Sequence, residues 1–402
     1  MKVGTIKEIK DNENRVGLTP AGVAELVGAG SIVFVQKNSG MGAGFGDEEY
    51  ERAGATLLDT ALEVVKSVDL LIKVKEPTPS EYSLLDAFKG KALFTYLHLS
   101  GAEKQLTMKF LDNNITAIAY ETVEDENGEL LLLAPMSEVA GVLAVQYGAQ
   151  FLQKKYNGAG VTLGAIHGAD PAEIVVIGAG SVGSSAARLA GGMGAHVTVL
   201  NRSADRLKKV QAEFKEYLGK NLFNRMSFLE MNDANLQDAV KRADLLVGAV
   251  LVPGAKAPVI VKKELVNIMK RGAVIVDVSI DQGGCVWGSR PTTHSDPVYT
   301  VDGKLYCCIT NMPGQVARQS TQALTHVTMP YVKLMAEKGV EGLLKESLKG
   351  GLKITLAEDE VIKDKGGFAK GVNTFKGKIT YKAVSEAMQL GACYGELKGM
   401  LK

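Results

Sequence analysis

Short apolar runs alternate with amphipathic stretches along the first third of the chain. Runs rich in β-branched and aromatic residues predict strands at KVGTIKEI, SIVFVQK, DLLIKVKEP, KALFTYLHLS and ITAIAYETV. Helical periodicity predicts helices at TPAGVAELVGAG, with Thr19 as N-cap and Pro20 first in the helix, and at DEEYERAGA and AEKQLTMKFLDNN. Strands that alternate with helices are typical of a parallel sheet covered by helices.

A second alternating block begins at Ala172. Strands are predicted at its start (EIVVI), after the first helix (HVTVLN), and at DLLVGAV, GAVIVDVSI and KLYCCIT, with helices at DRLKKVQAEFKEYL and VKKELVNIM. Between the blocks, LLLLAPMSEVAGVLAVQYGAQFLQKKY predicts one long connecting helix that runs to about Tyr156, with Ser137 as its candidate cap.

Two further helical stretches, QSTQALTHVTMPYVKLMAEKG and TYKAVSEAMQL, follow the second block, with a Gly/Lys-rich connection over residues 340–376. We expect them to return to the first block, which would make the first domain discontinuous. The predicted class is therefore α/β, with two Rossmann-like domains built on parallel sheets. The predicted boundaries are residues 1–136 plus 314–402 for one domain and 137–313 for the other.

The composition is that of an ordinary globular enzyme. The 402 residues include 46 basic and 45 acidic ones, a net charge of +1, so no broad field is expected to attract nucleic acid or an anionic membrane. No apolar run approaches the ~18 residues of a membrane span. The first sixteen residues lack the apolar region of a signal peptide, and the four cysteines show no CxxC spacing. We therefore expect a cytoplasmic protein with reduced thiols and no metal site.

A glycine-rich turn follows the first strand of the second block. Gly178, Gly180 and Gly183 fit the GxGxxG pattern, with a buried strand before it and a helix and second strand after it. The first glycine makes the tight turn, the second lets a pyrophosphate approach the backbone, and the third lets helix and strand pack closely. Ser181 and Val182 open the helix whose N-terminus would face the phosphates. These five residues predict a dinucleotide site.

The residues at the end of the next strand bear on the choice between NAD and NADP. NAD-binding sites usually carry an acidic residue there, whereas this chain has Asn201, followed by Arg202 and Ser203. Without a carboxylate to repel a 2′-phosphate, Arg202 and Ser203 would be able to bind it, so the sequence favours NADP. The alternative is that Asn201 bonds the 2′-hydroxyl of NAD while Arg202 is a solvated surface charge.

The chain resembles the alanine dehydrogenase/transhydrogenase family from Met1 to about Tyr331, and again at GVNTFKGKITYKAV. The segments that carry the resemblance are KEIKDNENRVGLTPAGV, DLLIKVKEP, YLHLS, LLAPMSEVAG, VVIGAGSVG, VPGAKAP, VDVSIDQGGC, SRPTTHSDPVY and NMPG. The first domain is then expected to bind substrate and carry the catalytic groups, and the second to bind the dinucleotide.

The resemblance also implies roles for individual residues. It implies that Arg15 holds the substrate carboxylate, Lys75 contacts a substrate oxygen, and His98 and Asp281 are catalytic. A planar guanidinium suits a carboxylate, and histidine titrates near neutral pH. Three more residues are expected to line the nicotinamide pocket: Ser137, Asn311 and Met312.

The implied reaction is the reversible oxidative deamination of L-alanine to pyruvate and ammonium, with hydride transfer to NAD(P), in a homo-oligomer that is a hexamer by resemblance. Val142 and Trp287 depart from the family pattern and leave another small amino acid or imine open as substrate. A transhydrogenase α-type subunit would need membrane partners. A non-enzymatic nucleotide sensor would have no use for the group formed by Arg15, Lys75, His98 and Asp281.

Overall fold

The computed structural model describes residues 1–252, 256–357 and 360–401, without the side chains of residues 357 and 360. Residues 253–255, inside the VPGAKAP segment, therefore lie outside the described residues. The chain divides into two compact units, Met1–Met136 with Gly314–Lys402, and Ser137–Pro313. Within the described residues, no helix combines the length and the apolar character needed to cross a membrane.

Six parallel strands form the centre of the first unit's sheet. The strands are β1 (Lys2–Thr5), β2 (Ile32–Gln36), β3 (Thr56–Leu58), β4 (Leu70–Ile72), β5 (Ala92–Thr95) and β6 (Thr116–Ala119). The helices between them are α1 (Pro20–Gly28), α2 (Asp47–Arg52), α3 (Ala61–Ser67), α4 (Tyr82–Asp86) and α5 (Lys104–Asp112). Thr19 caps α1 as predicted, since its hydroxyl accepts the Gly22 N–H at 3.1 Å. The spatial order β6-β5-β4-β1-β2-β3 places the switch point, where ligands bind in such sheets, between β1 and β4.

One long helix, α6 (Ala134–Phe151), crosses from the first unit's sequence into the second's. The predicted cap at Ser137 is wrong, because the helix starts three residues earlier and Ser137 lies in its first turn. The predicted extension to Tyr156 is also wrong, since a separate 3-10 turn occupies Lys154–Tyr156. Proline is tolerated in a first helical turn, where N–H groups lack helical partners, so Pro135 does not delay the start.

The second unit is built on a seven-stranded sheet. Its strands are β7 (Glu173–Ile177), β8 (His196–Asn201), β9 (Met226–Glu230), β10 (Leu245–Gly248), β11 (Val274–Asp277), β12 (Tyr299–Val301) and β13 (Lys304–Cys307). Its helices are α7 (Ser181–Gly192), α8 (Ala204–Phe223), α9 (Asp233–Arg242) and α10 (Lys263–Asn267). The order β12-β13-β11-β10-β7-β8-β9 again reverses beside the first strand, between β7 and β10. The predicted parallel sheet is confirmed, and one antiparallel strand, β12, is added at its edge beside β13.

The C-terminal residues extend the first unit's sheet. They form α11 (Ala317–Lys338), α12 (Val340–Lys349), β14 (Leu352–Ala357), β15 (Glu360–Asp364), α13 (Gly367–Lys370), β16 (Val372–Phe375), β17 (Lys378–Ile379), α14 (Lys382–Ala387) and α15 (Leu397–Met400). Strand β16 adds antiparallel to β6, and β17 to β16, so this sheet is mixed as well. The Gly/Lys-rich connection over residues 340–376 contains elements that the sequence did not predict, namely α12, the β14–β15 hairpin and β16. Lys353 and Lys363 interrupt the apolar residues of the two strands, so neither strand has a continuous apolar run.

Candidate functional site

Arg15 lies in the loop that leaves β1, at the carboxyl edge of the first unit's sheet. Its side chain is buried, and its Nε donates to the Glu13 Oε1 at 2.7 Å while Nη2 donates to the other carboxylate oxygen. A third contact joins Nη1 to the Met136 Sδ at 3.0 Å. Burial alone would lower the pKa of Arg15, but the Glu13 carboxylate outweighs it and raises the pKa. Glu13 therefore fixes the plane of the guanidinium and keeps it charged.

Lys75 lies three residues beyond β4, across the switch point from the end of β1. Its side chain is partly buried, and its ammonium lies 6.0 Å from the centre of the Tyr96 ring. Among the described residues, no group accepts a hydrogen bond from that ammonium. Burial lowers the pKa of Lys75, and the neighbouring Arg15 charge lowers it further. A desolvated cation beside a second cation is a setting that attracts an anionic ligand.

His98 follows β5 in a left-handed backbone conformation, with φ of 47°, which is rare for a residue with a side chain. The carboxylate of Glu121 holds this conformation by accepting the His98 N–H at 2.6 Å. The imidazole is half exposed, with Nδ1 3.9 Å from the same carboxylate, and it stacks on Tyr96 with ring centres 5.7 Å apart. The Tyr96 ring therefore has the Lys75 ammonium and the His98 imidazole as neighbours.

The glycine turn of the second unit has the geometry that a bound dinucleotide requires. Gly178 has φ of 105°, and a Cβ there would meet the Ala249 carbonyl oxygen at 2.4 Å. A Cβ on Gly183 would meet the Gly178 oxygen at 1.9 Å, so helix and strand pack in contact. A Cβ on Gly180 would meet nothing within 4 Å, which leaves the backbone open to a ligand. Helix α7 begins at Ser181, followed by Val182, and directs its N-terminal N–H groups at this opening.

The residues after β8 are tied to this turn. The Asn201 Oδ1 accepts the Ala179 N–H at 3.2 Å, and its Nδ2 donates to the Ser203 carbonyl at 3.2 Å. The Ser203 hydroxyl caps α8, while Arg202 is exposed. Sequence reasoning missed Arg206, whose Nε donates to the Ala179 carbonyl at 2.8 Å. Its place in the first turn of the helix after the predicted ribose-reading strand was the available signal.

Asp281 lies in a 3-10 turn, Val278–Gln282, that follows β11 at the carboxyl edge of the second sheet, and its side chain is exposed. The buried Asp277 organises this loop by accepting N–H groups of Cys285 at 2.8 Å and Val286 at 3.0 Å and the Ser289 hydroxyl at 2.7 Å. Burial raises the pKa of Asp277, against these hydrogen bonds. Sequence reasoning singled out the exposed aspartate and missed the one that shapes the loop.

The three residues expected near the nicotinamide lie in two places. Ser137 is in the first turn of α6, whereas Asn311 and Met312 follow β13, with Met312 buried. Asn311 has φ of 59°, and its carbonyl lies 3.4 Å from the His294 Nε2, while the Tyr147 hydroxyl lies 3.3 Å from Nδ1. His294 therefore links α6 to the Asn311 loop.

Trp287 is one of two sequence departures that could reshape a site. Its side chain is partly buried against the core of the second unit, and the Lys263 ammonium lies 5.1 Å from the ring. Trp287 therefore packs within the second unit. Among the described residues, no three Cys, His, Asp or Glu side chains are grouped as metal ligands.

The family model described as "Alanine dehydrogenase/PNT, N-terminal domain" matches residues 4–140, and "Alanine dehydrogenase/PNT, C-terminal domain" matches residues 144–382. The chain belongs to the alanine dehydrogenase/PNT family. It is thus a member of a family of amino-acid dehydrogenases, and its second unit carries that family's nucleotide-binding Rossmann fold.

Individual relatives are similar over nearly their full length. An "Alanine dehydrogenase" of Halomonas elongata is 47% identical over 390 residues, which cover 97% of each chain. One of Mycobacterium tuberculosis is 50% identical over 339 residues, 84% of this chain and 88% of the relative. A solved structure titled "L-alanine dehydrogenase" superposes with a TM-score of 0.85 at 42% identity, over 97% of this chain and 99% of that one. The resemblance inferred from the sequence motifs is confirmed.

Proposed function

We propose that the protein catalyses the reversible oxidative deamination of L-alanine to pyruvate and ammonium with NAD(P) as the hydride acceptor. The observation that carries the proposal is the cluster of Arg15, Lys75 and His98 around Tyr96 at the carboxyl edge of the first sheet. The names of the 42–50% identical relatives support the same reaction. The first unit would bind substrate, and the second, Ser137–Pro313, would bind the dinucleotide.

The glycine turn would hold the pyrophosphate against Gly178, Gly180 and the α7 N-terminus, with Ser181, Val182 and Gly183 forming the first turn of that helix. Ser137, Asn311 and Met312 would border the nicotinamide. When bound, the nicotinamide supplies the chemistry of accepting a hydride from the substrate Cα. The protein's own groups then have to orient the substrate, exclude water and move protons.

Arg15 and Lys75 would bind the substrate. The guanidinium held by Glu13 would pair with the carboxylate, and the Lys75 ammonium would bind the carbonyl oxygen of pyruvate or the hydroxyl of the hydrated intermediate. Both charges are removed from bulk water, which strengthens their interaction with an anion. Holding the substrate in one orientation can lower the activation barrier by several kcal/mol, and by about 7–11 kcal/mol in favourable cases.

His98 would transfer protons at the substrate's oxygen and nitrogen. Taking one proton as water adds to the imine, and returning one as ammonia leaves, requires a group that titrates near neutral pH. Its half-exposed imidazole, stacked on Tyr96, supports this role. The exposed carboxylate of Asp281 would orient water or ammonia.

We further propose that the enzyme uses NADPH at least as well as NADH. Position 201 carries no negative charge, and Arg202 is exposed. Arg206 donates to the Ala179 carbonyl in the glycine turn. Two guanidinium groups, one just before α8 and one in its first turn, would favour a 2′-phosphate. The resemblance also supports a cytoplasmic homo-oligomer, a hexamer, which multi-angle light scattering would measure.

An initial-rate panel tests this function. Pyruvate and larger 2-oxo acids are each supplied with ammonia and with NADH or NADPH, and oxidation of the cofactor is followed by absorbance. Pyruvate should give the highest ammonia-dependent kcat/KM. If no 2-oxo acid gives ammonia-dependent oxidation of either cofactor, the dehydrogenase proposal is wrong. A preference for a larger 2-oxo acid would transfer the proposal to another amino acid.

A further inference from the structure

Three charged side chains that the proposed mechanism does not use are buried together below Lys75. Lys73 is 1% exposed, and its ammonium donates to the Glu8 Oε2 at 3.0 Å and the Glu81 Oε1 at 2.8 Å. Both carboxylates are buried as well. Removing three charges from water is costly, and such groups often have a specific structural or functional role.

Burial and charge act against each other in this cluster. Burial raises the pKa of Glu8, and the Lys73 charge and the Val74 N–H oppose that rise without cancelling it. Burial alone would lower the pKa of Lys73, but Glu8 and Glu81 outweigh it and raise the pKa. A charged donor forms a stronger hydrogen bond than a neutral one, so the Lys73 ammonium fixes the Glu8 side chain through its Oε2.

The second oxygen of Glu8 holds the main chain that carries Lys75. Its Oε1 accepts the Val74 N–H at 2.6 Å and the Lys75 N–H at 3.3 Å. Strand β4 ends at Ile72, so no strand pairs with Val74 and Lys75 on the β1 side. The Glu8 side chain, three residues beyond the end of β1, accepts their N–H groups instead. Glu81 differs, because its other oxygen accepts the Thr78 N–H at 2.8 Å and does not touch the Lys75 segment.

The same segment is held from its other side. The Thr95 hydroxyl donates to the Lys75 carbonyl at 3.1 Å, and the Tyr96 N–H donates to the Val74 carbonyl at 3.3 Å. The Tyr120 hydroxyl donates to the Lys73 carbonyl at 3.0 Å. Side chains and backbone from three strand ends therefore fix the Lys75 backbone, and Glu8 contributes the charged contact.

We propose that Glu8 is a positioning residue, which holds the Lys75 backbone so that the ammonium meets the substrate oxygen, with the Lys73 ammonium fixing the other oxygen of Glu8. The inference rests on the proposed function, because it takes Lys75 to be a substrate-binding residue. It gives the buried Lys73 a role in substrate binding although Lys73 itself does not reach the site.

The test compares Glu8→Asp with Glu81→Asp. Both variants shorten a carboxylate that contacts Lys73 and keep its charge, but only the first withdraws from the Val74 and Lys75 N–H groups. Glu8→Asp should raise the KM for pyruvate about tenfold or more, since misplacement by ~1 Å can cost 10²-fold. The KM for the reduced cofactor should stay within about twofold of wild type. Hydrogen exchange by mass spectrometry should be faster at Val74 and Lys75.

Glu81→Asp should leave the pyruvate KM and the exchange of these two amides within about twofold of wild type, with thermal melting as the folding control. A pyruvate KM in Glu8→Asp within twofold of wild type overturns the proposal, as does an equal rise in Glu81→Asp. If Glu8→Asp does not fold, Glu8→Gln takes its place, because a neutral oxygen accepts more weakly. It should still raise the pyruvate KM about threefold and speed the exchange, and no change in both overturns the proposal.

Failure of the proposed function would be visible in the wild type, as the absence of ammonia-dependent activity with any 2-oxo acid. The exchange measurement does not depend on activity. In that case it alone decides whether Glu8 holds the Lys75 segment, and unchanged exchange in Glu8→Asp overturns the inference.

Discussion

His98 combines an unfavourable backbone conformation with an exposed imidazole. A left-handed residue with a side chain costs on the order of 1–3 kcal/mol and persists only where its surroundings enforce it. Here the Glu121 carboxylate accepts the His98 N–H at 2.6 Å and the Leu97 N–H at 3.2 Å. This left-handed conformation directs the chain away from the end of β5 and places the His98 imidazole parallel to the Tyr96 ring.

Replacement of His98 by alanine should lower kcat by roughly 10²-fold or more, the usual scale for a positioned acid–base group. The cofactor KM should change little, since the glycine turn belongs to the other unit. His326→Ala removes an exposed histidine elsewhere in the first unit and serves as control. Steady-state kinetics of both variants decide the role, and near-normal turnover in His98→Ala would make that residue structural.

The pH dependence of pyruvate binding should report on Lys75. An ordinary lysine has a pKa of about 10.4, and burial together with Arg15 lowers the pKa of Lys75. Only the charged form binds the anion. As the pH is increased, the pyruvate KM should therefore start to rise at a lower pH than an ordinary lysine would cause, and should then increase about tenfold per pH unit. It is measured with ammonia saturating.

Lys75→Arg supplies the matching variant, because a guanidinium stays charged up to about pH 12. Its pyruvate KM is expected to be higher at neutral pH and independent of pH above it. A wild-type pyruvate KM that stays flat up to about pH 10 would contradict the assignment of Lys75 as the pH-sensitive cation.

The cofactor preference should change with the charge at position 201. Asn201→Asp keeps the acceptor for the Ala179 N–H but introduces a charge that repels a 2′-phosphate, so preference should move toward NADH about ten- to hundredfold. Arg202→Ala and Arg206→Ala should each weaken NADPH more than NADH, whereas Lys208→Ala, an exposed change in the same helix, should not. The kcat/KM ratio for the two cofactors is the measurement, and a wild-type ratio that favours NADH tenfold would refute the NADP proposal.

At the scale of elements, the strand–turn–helix of the second unit is the part whose sequence and structure agree most closely. Four buried residues of β7 lead into a glycine at φ 105°, and the small residues of α7 allow helix and strand to touch. Each requirement acts within about ten residues, so local patterns are enough to predict it.

Gly180→Ala tests the opening in this turn. The added Cβ meets no protein atom within 4 Å, so the variant should melt like the wild type while losing roughly tenfold or more in cofactor affinity. Gly192→Ala, at the last position of α7, should fold and bind normally, because its Cβ meets only a Leu218 methyl at 3.8 Å. Fluorescence titration with the reduced cofactor measures both, and unaltered affinity in Gly180→Ala would show that the cofactor does not approach this backbone.

Elements with mixed patterns were not predicted from the sequence. Strand β9, MSFLE, is only partly buried, and β14 and β15 each carry one lysine among their apolar residues, so none of them has the continuous apolar run of β7. The antiparallel β16 depends on a β6 partner some 250 residues away, and no local pattern records such a pairing.

The candidate substrate-binding residues were predicted from the sequence, but the groups that hold them in place were not. Arg15, Lys75 and His98 were identified by resemblance, because each alone has the pattern of a surface charge or a core histidine. Their supporting groups were missed: Glu121 follows an apolar strand end, and Glu13 has the pattern of a solvated loop residue. Only the fold brings these carboxylates to the guanidinium and to the backbone that they hold.

At the scale of the whole molecule, the six parallel strands of each sheet follow the same spatial order, and each sheet gathers most of its candidate functional residues at the carboxyl ends of its strands. The first gathers cations and a histidine, which suit a small anionic substrate, and the second gathers a glycine turn and a helix N-terminus, which suit a dinucleotide. This division supports a reaction in which one unit orients the substrate and the other supplies the hydride acceptor.

Product analysis with isotopic ammonium tests this account most directly. The purified enzyme is given pyruvate, ¹⁵N-ammonium and reduced cofactor, and the products are separated on a chiral column and identified by mass spectrometry. The account predicts ¹⁵N-labelled L-alanine in one-to-one proportion to the cofactor oxidised. Cofactor oxidation that yields lactate, or no labelled amino acid, would contradict it.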